Sequence, residues 1–132
     1  MRKFVMTLVW FVALGFGMQA WPADPDTQGP EEKYKEVRGY IAFKTYCVLC
    51  HGIHADGNGR AAKTYNPRPA NLRISTVSDK YKEAIIRNGG AAMGRSAFMP
   101  PWGQELTDEQ IRDVVYFLSV IRSSDKSAAQ SR

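Results

Sequence analysis

Cysteine and histidine are scarce in this chain, with two of each among 132 residues. One pair of cysteines cannot build the multi-bridge framework that holds many small exported domains together. Strand-type alternation of apolar and polar residues does not stand out, nor does an internal repeat, so the fold class is read as all-α. Basic tracts are also missing. The 18 basic and 13 acidic residues leave a net charge of +5 spread along the chain, which argues against a nucleic-acid partner.

What is present starts with an apolar run at the amino terminus. Arg2 and Lys3 precede Phe4 to Gly17, which only Thr7 interrupts, and Gln19-Ala20 offers a small residue at a cleavage point. Residues 1–20 are therefore read as an export signal. Met18 sits where a small residue is preferred, and the run to Trp21 is long enough to remain as a single membrane anchor. Both readings export the remainder of the chain. Without Arg2 and Lys3, 16 basic face 13 acidic residues, a net charge of +3. Lys33, Lys35, Arg38, Lys44, Arg60, Lys63 and Arg68 form a candidate positive surface that would steer an acidic partner.

Both cysteines and one histidine fall in Cys47-Val48-Leu49-Cys50-His51. Thiols three residues apart share one side of a helical turn, where they can add to the two vinyl groups of one porphyrin edge. The adjacent histidine then projects towards the iron. A dithiol redox centre is one rival, but it calls for a preceding strand, whereas the upstream pattern is helical. Zinc is the other, using Cys47, Cys50, His51 and His54. Adjacent Cys50 and His51 are awkward ligands for one tetrahedral ion. A covalently held haem would also enlarge the small core that residues 21–132 can form.

Residues 21–30 read as a flexible leader rich in proline. A helix is expected from Glu31 to Tyr46, with acidic residues in its first turn and with Tyr40, Phe43 and Cys47 on one side. Gly39, one turn before Phe43, allows a second helix to approach closely. Gly52 to Gly59 is a loop, Arg60 to Tyr65 a short helical turn, and Asn66 to Leu72 irregular around Pro67 and Pro69. The next helix is expected from Ser78 to Arg87, facing inward with Tyr81, Ile85 and Ala84, and stopped by Gly89-Gly90. Ala91 to Glu105 is an extended loop. A capping box at Thr107 to Gln110 opens the last helix, whose face of Ile111, Val114, Val115, Phe117, Leu118 and Ile121 runs to Arg122. Residues 123–132 are a polar tail, and 31–122 the folded domain.

An iron with one histidine either keeps an open sixth site or takes a second protein ligand. His54 is too close to His51 to reach the opposite face of a porphyrin. Met93 and Met99 are the remaining soft donors beyond the amino-terminal run; thioether ligation raises the reduction potential. Met99 is preferred because Pro100 and Pro101 stiffen its loop.

Taken together, residues 34–122 resemble the class I c-type cytochromes, small single-haem electron carriers of bacterial periplasms. The resemblance is carried by Gly39, Phe43 and Cys47 on the first helix, Val114 and Phe117 on the last, the Cys47–His51 motif, and Met99-Pro100-Pro101-Trp102. The stretches Asp56 to Gly59 and Asn66 to Leu72 add to it. It implies three to five helices around one haem c attached through Cys47 and Cys50, with iron held by His51 and Met99. It further implies a proline whose carbonyl accepts a bond from the proximal histidine, a role for which Pro69 is favoured over Pro67.

The function expected is electron transfer between periplasmic redox proteins by a monomer that is not an enzyme. Membrane attachment would follow only if residues 1–20 persist. The haem edge would be flanked by Ile53, Met93 and Ala97, and Tyr65, Arg73 and Trp102 are candidate donors to its carboxylates. Two alternatives keep the same motif: a haem enzyme or gas sensor with an open or displaceable sixth site, and a fixed haem subunit of a larger oxidoreductase.

Overall fold

The computed structural model describes residues 29–131, so the export signal or anchor and most of the leader lie outside the described residues. Among the described residues four α-helices follow one another: α1 Pro30–Tyr46, α2 Val48–His51, α3 Asp79–Ala92 and α4 Asp108–Gln130. A 3-10 turn, Ala62–Thr64, lies between α2 and α3. The fold is all-α, and no strand occurs among the described residues.

Local chemistry accounts for where the helices begin. Pro30 opens α1, where a missing N–H costs nothing, and Glu32 Oε2 accepts from the Gly29 N–H at 3.3 Å. Ser78 Oγ accepts from Tyr81 N–H at the start of α3. At α4 the expected capping box is reciprocal: Gln110 N–H donates to Thr107 Oγ1 at 3.2 Å, and Thr107 N–H donates to Gln110 Oε1 at 2.9 Å.

The two long helices cross at Gly39, where a Cβ would stand 2.0 Å from the Asp113 carbonyl oxygen and 2.9 Å from Phe117 Cβ. This close approach buries Ala42 and Phe43 against Val114, Phe117 and Leu118. Phe43 and Phe117 hold their rings 5.4 Å apart, and Tyr40 and Phe117 theirs 5.6 Å apart. Beside the crossing, buried Asp113 accepts from Arg38 Nε at 2.6 Å and from Arg38 Nη2 at 3.4 Å. Arg38 also reaches Glu31 and Glu109. It therefore serves the helix crossing rather than the positive surface, where Lys44, Arg60, Lys63 and Arg68 stand exposed.

Three expectations change. Residues 123–130 are not a separate tail, because α4 continues through them to Gln130 with no glycine or proline to stop it. Gly89 does break helical geometry, at φ 79°, but a further turn carries α3 to Ala92. The inward residues of α3 include Lys82 and Ile86, both buried, besides the half-buried Tyr81, Ala84 and Ile85.

Candidate functional site

Helix packing leaves a cavity of about 650 Å³, lined chiefly by apolar side chains, a size usual for sites that hold small molecules and cofactors. Cys47, Cys50, His51 and Met99 all line it. The two cysteines and His51 come from the junction of α1 with the single turn of α2, while Met99 comes from the loop between α3 and α4. Met93, Ile53, Ala97 and His54 are not among the lining residues. The exposed large apolar residues at the cavity edge are instead Leu49, Phe98 and Val77, of which Leu49 and Phe98 are 53% and 56% exposed.

His51 is set up as a neutral donor. Burial pushes its pKa below the ordinary histidine value, and the bond to Ala70 opposes that shift only in part. Its Nδ1 lies 3.0 Å from the Ala70 carbonyl oxygen. A carbonyl can only accept, so Nδ1 carries the proton and Nε2 keeps its lone pair for a metal. The acceptor expected here was the Pro69 carbonyl, and the structure moves that role one residue along. Pro69's carbonyl packs against Gly57, where a Cβ would meet it at 2.6 Å.

Cys47 is not poised as a dithiol nucleophile. Burial, and next the neighbouring Cys50, push its pKa up to about 12, whereas redox-active thiols have lowered values. The zinc reading fares no better, because His54 is exposed and outside the cavity. Among the described residues no cluster of three or more Cys, His, Asp or Glu is arranged to hold a metal ion.

The loop bearing Met99 is seated on Gly89 and Gly90. Gly90 N–H donates to the Met99 carbonyl at 2.8 Å, and Met99 N–H donates to Ser96 O at 3.2 Å. A Cβ on Gly90 would stand 2.1 Å from Ser96 O and 3.1 Å from Met99 Cβ; on Gly89 it would meet Pro101 N at 2.8 Å and Met99 O at 3.1 Å. By sequence alone this pair reads as a helix stop. Its larger role is to let the loop lie directly on α3.

Of the residues expected to meet the haem carboxylates, Tyr65 and Trp102 line the cavity and Arg73 does not. Arg73 is held by Asp125, to which its Nε donates at 2.6 Å and its Nη2 also donates. The cations that do line the cavity are Arg68, Lys82 and Arg95. Lys82 Nζ donates to Asp79 at 2.7 Å and Arg95 Nε to Tyr81 Oη at 3.1 Å. No periodicity marks a buried lysine in advance; spacing put Lys82 beside Tyr81 without showing that it turns inward.

Residues 37–118 match the protein family described as cytochrome c oxidase, cbb3-type, subunit III. The chain belongs to the class I c-type cytochromes. Cytochrome c-554(548) of Halomonas halodenitrificans is 36% identical to it over 76 residues, covering 55% of this chain and 81% of the relative. Among solved structures, a chain of the Kuenenia stuttgartiensis reducing HAO-like protein complex is similar, with a TM-score of 0.54 and 27% identity. That match covers 64% of the present chain but only 41% of the Kuenenia chain. Family membership makes the protein a c-type cytochrome carrying covalently bound haem c with its iron, and an electron carrier. The cavity suits such a group: two thiols, a neutral imidazole and a thioether converge on an apolar space, with cations at hand for carboxylates. No described helix is long and apolar enough to cross a membrane.

Proposed function

We propose that this cytochrome is an exported single-haem carrier whose iron is held by His51 and Met99, passing electrons between periplasmic redox proteins without binding a substrate. The observation that carries the reading is the convergence of Cys47, Cys50, His51 and Met99 on one cavity from two separate segments. Haem, when bound, supplies a one-electron ferric–ferrous couple. Cys47 and Cys50 would tether it, and His51, kept neutral by burial and oriented by the Ala70 carbonyl, would face the iron with Nε2. Met99 would be the second protein ligand to the iron, a soft donor that favours the ferrous state and so raises the potential.

The rest of the chain supports this use. The loop seat on Gly89-Gly90 limits movement of Met99 between oxidation states, which keeps reorganisation small and transfer fast. The apolar edge at Leu49 and Phe98 is the surface for electron exchange, with exposed Lys44, Arg60, Lys63 and Arg68 to steer acidic partners. Steering of this kind weakens as salt rises.

Absorption spectra test the ligand assignment. Methionine–iron bonding gives the ferric protein a weak band in the far red; Met99→Ala should abolish it and Met93→Ala should leave it. If the parent lacks the band and its ferrous form binds carbon monoxide readily, the sixth site is open and the carrier reading fails.

A second reading is favoured by one observation. The similar Kuenenia chain belongs to a complex and is more than twice the length of the matched stretch. The present domain would then be a fixed haem subunit of a larger oxidoreductase, with the same iron chemistry and a permanent partner. Hydrodynamic mass of the holoprotein taken directly from its native extract separates the two: a free carrier runs as a monomer.

A further inference from the structure

The segment from Tyr65 to Ser78 carries the Ala70 carbonyl, yet it contains neither strand nor helix to hold that carbonyl in place. Its position depends on individual links. Leu72 N–H donates to Ala55 O at 2.8 Å, which ties the segment to the loop after the haem motif, itself irregular. Arg73 makes the most extensive set. Its backbone N–H donates to Asn71 Oδ1 at 3.0 Å, its Nη1 donates to His54 O at 3.3 Å, and its Nε donates to Asp125 Oδ2 at 2.6 Å. A second bond runs from Nη2 to Asp125 Oδ1, so the guanidinium grips the carboxylate at both oxygens. Arg122 reinforces the same junction by donating to Ser75 O at 2.9 Å. Asp125 and Arg122 both belong to α4, the longest of the described helices, and Asp125 lies in the extension that the sequence pattern did not reveal.

We propose that Arg73 and Asp125 are positioning residues for the proximal histidine: by clamping the loop to α4 they hold the Ala70 carbonyl against His51 Nδ1 and so set how strongly the imidazole donates to iron. The inference rests on the reading that His51 ligates the iron. A well-formed bond from Nδ1–H to a carbonyl puts negative charge on the ring and makes Nε2 a stronger donor. Stronger donation stabilises ferric iron and lowers the potential. Releasing the clamp lengthens that bond, weakens donation and raises the potential.

Charge makes the test sharp, because the partners are of opposite sign. If they acted only through their own charges, Asp125→Asn would raise the potential and Arg73→Gln would lower it. The clamp requires both to rise, and requires the double variant to rise no further than the larger single change, since either substitution alone opens the junction. Arg73→Lys keeps the charge but loses the two-pronged grip, so it should also shift upward, though less.

The experiment measures midpoint potentials of purified holoprotein for the parent, these three single variants and the double variant. It also follows exchange of the His51 ring N–H proton by nuclear magnetic resonance. Upward shifts throughout, with exchange faster by roughly tenfold in Arg73→Gln and Asp125→Asn, support the clamp. Opposite shifts in those two variants overturn it, as do unchanged potentials. Should Arg73→Gln fail to accumulate as holoprotein, Asp125→Asn and Arg73→Lys carry the test, because charge alone predicts no shift for the lysine variant. A separate control is His51→Ala. If it leaves the haem spectrum as it was, the ligand assignment itself is lost and the clamp with it; a changed spectrum with charge-ordered potentials refutes the clamp alone.

Discussion

Replacing Gly39 by alanine tests the packing that builds the site. In an exposed helix interior this change is favourable by about 1 kcal/mol, because alanine gives up less backbone freedom than glycine. Here the new methyl would sit 2.0 Å from the Asp113 carbonyl oxygen, against an ordinary contact distance of about 3.4 Å. The obstacle is backbone of α4 rather than a flexible side-chain tip, so α1 and α4 have to part by about an ångström. That loosens Phe43 on Phe117 and lengthens the Arg38–Asp113 pair. Overpacking of this kind costs about 1–3 kcal/mol, with rigid obstacles towards the top of the range. Subtracting the propensity gain leaves a net loss of about 2 kcal/mol. Urea unfolding of the holoprotein should show a lower midpoint with the slope retained. A midpoint that stays put or rises would mean that the helices do not meet at Gly39.

Two further outcomes follow from individual contacts. Gly90→Ala drives a methyl against Ser96 O and Met99 Cβ, so the far-red band of the ferric protein should weaken or vanish while the covalently attached haem remains; an unchanged band would show that the loop is not seated on α3. Asp108 is held below the ordinary carboxylate pKa chiefly by its hydrogen bond to Arg87. A lowered folded-state value means that its contribution is present above the ordinary value of about 3.8 and is lost as pH falls through the folded one. Asp108→Asn should therefore lower the urea midpoint near neutrality and converge with the parent in strong acid; a difference that persists in acid would assign the effect to something other than charge.

The site was legible in part because its chemistry is local. Cys47, Cys50 and His51 need only one helical turn to share a side, and α2 supplies that turn. Gly39 and the Thr107 capping box were readable for the same reason: each is a short pattern with one dominant physical use. Pro69 was the near miss. Which carbonyl in an irregular segment faces a ring depends on the rotation of a single peptide plane, and here it is Ala70's that meets His51. Arg73, one of three candidate donors to the haem carboxylates, meets the carboxylate of Asp125 on α4 instead.

By itself, then, the sequence determined the cofactor class, the helical period and the points where the long helices start and touch, since all of these follow from spacing over a few residues. The convergence of Met99 with His51 on one cavity, the inward turn of Lys82, the continuation of α4 to Gln130 and the closure of Arg73 on Asp125 were decided only in the tertiary structure. Arg73 and Asp125 are 52 residues apart, and no local pattern encodes a contact that exists only once the helices have packed.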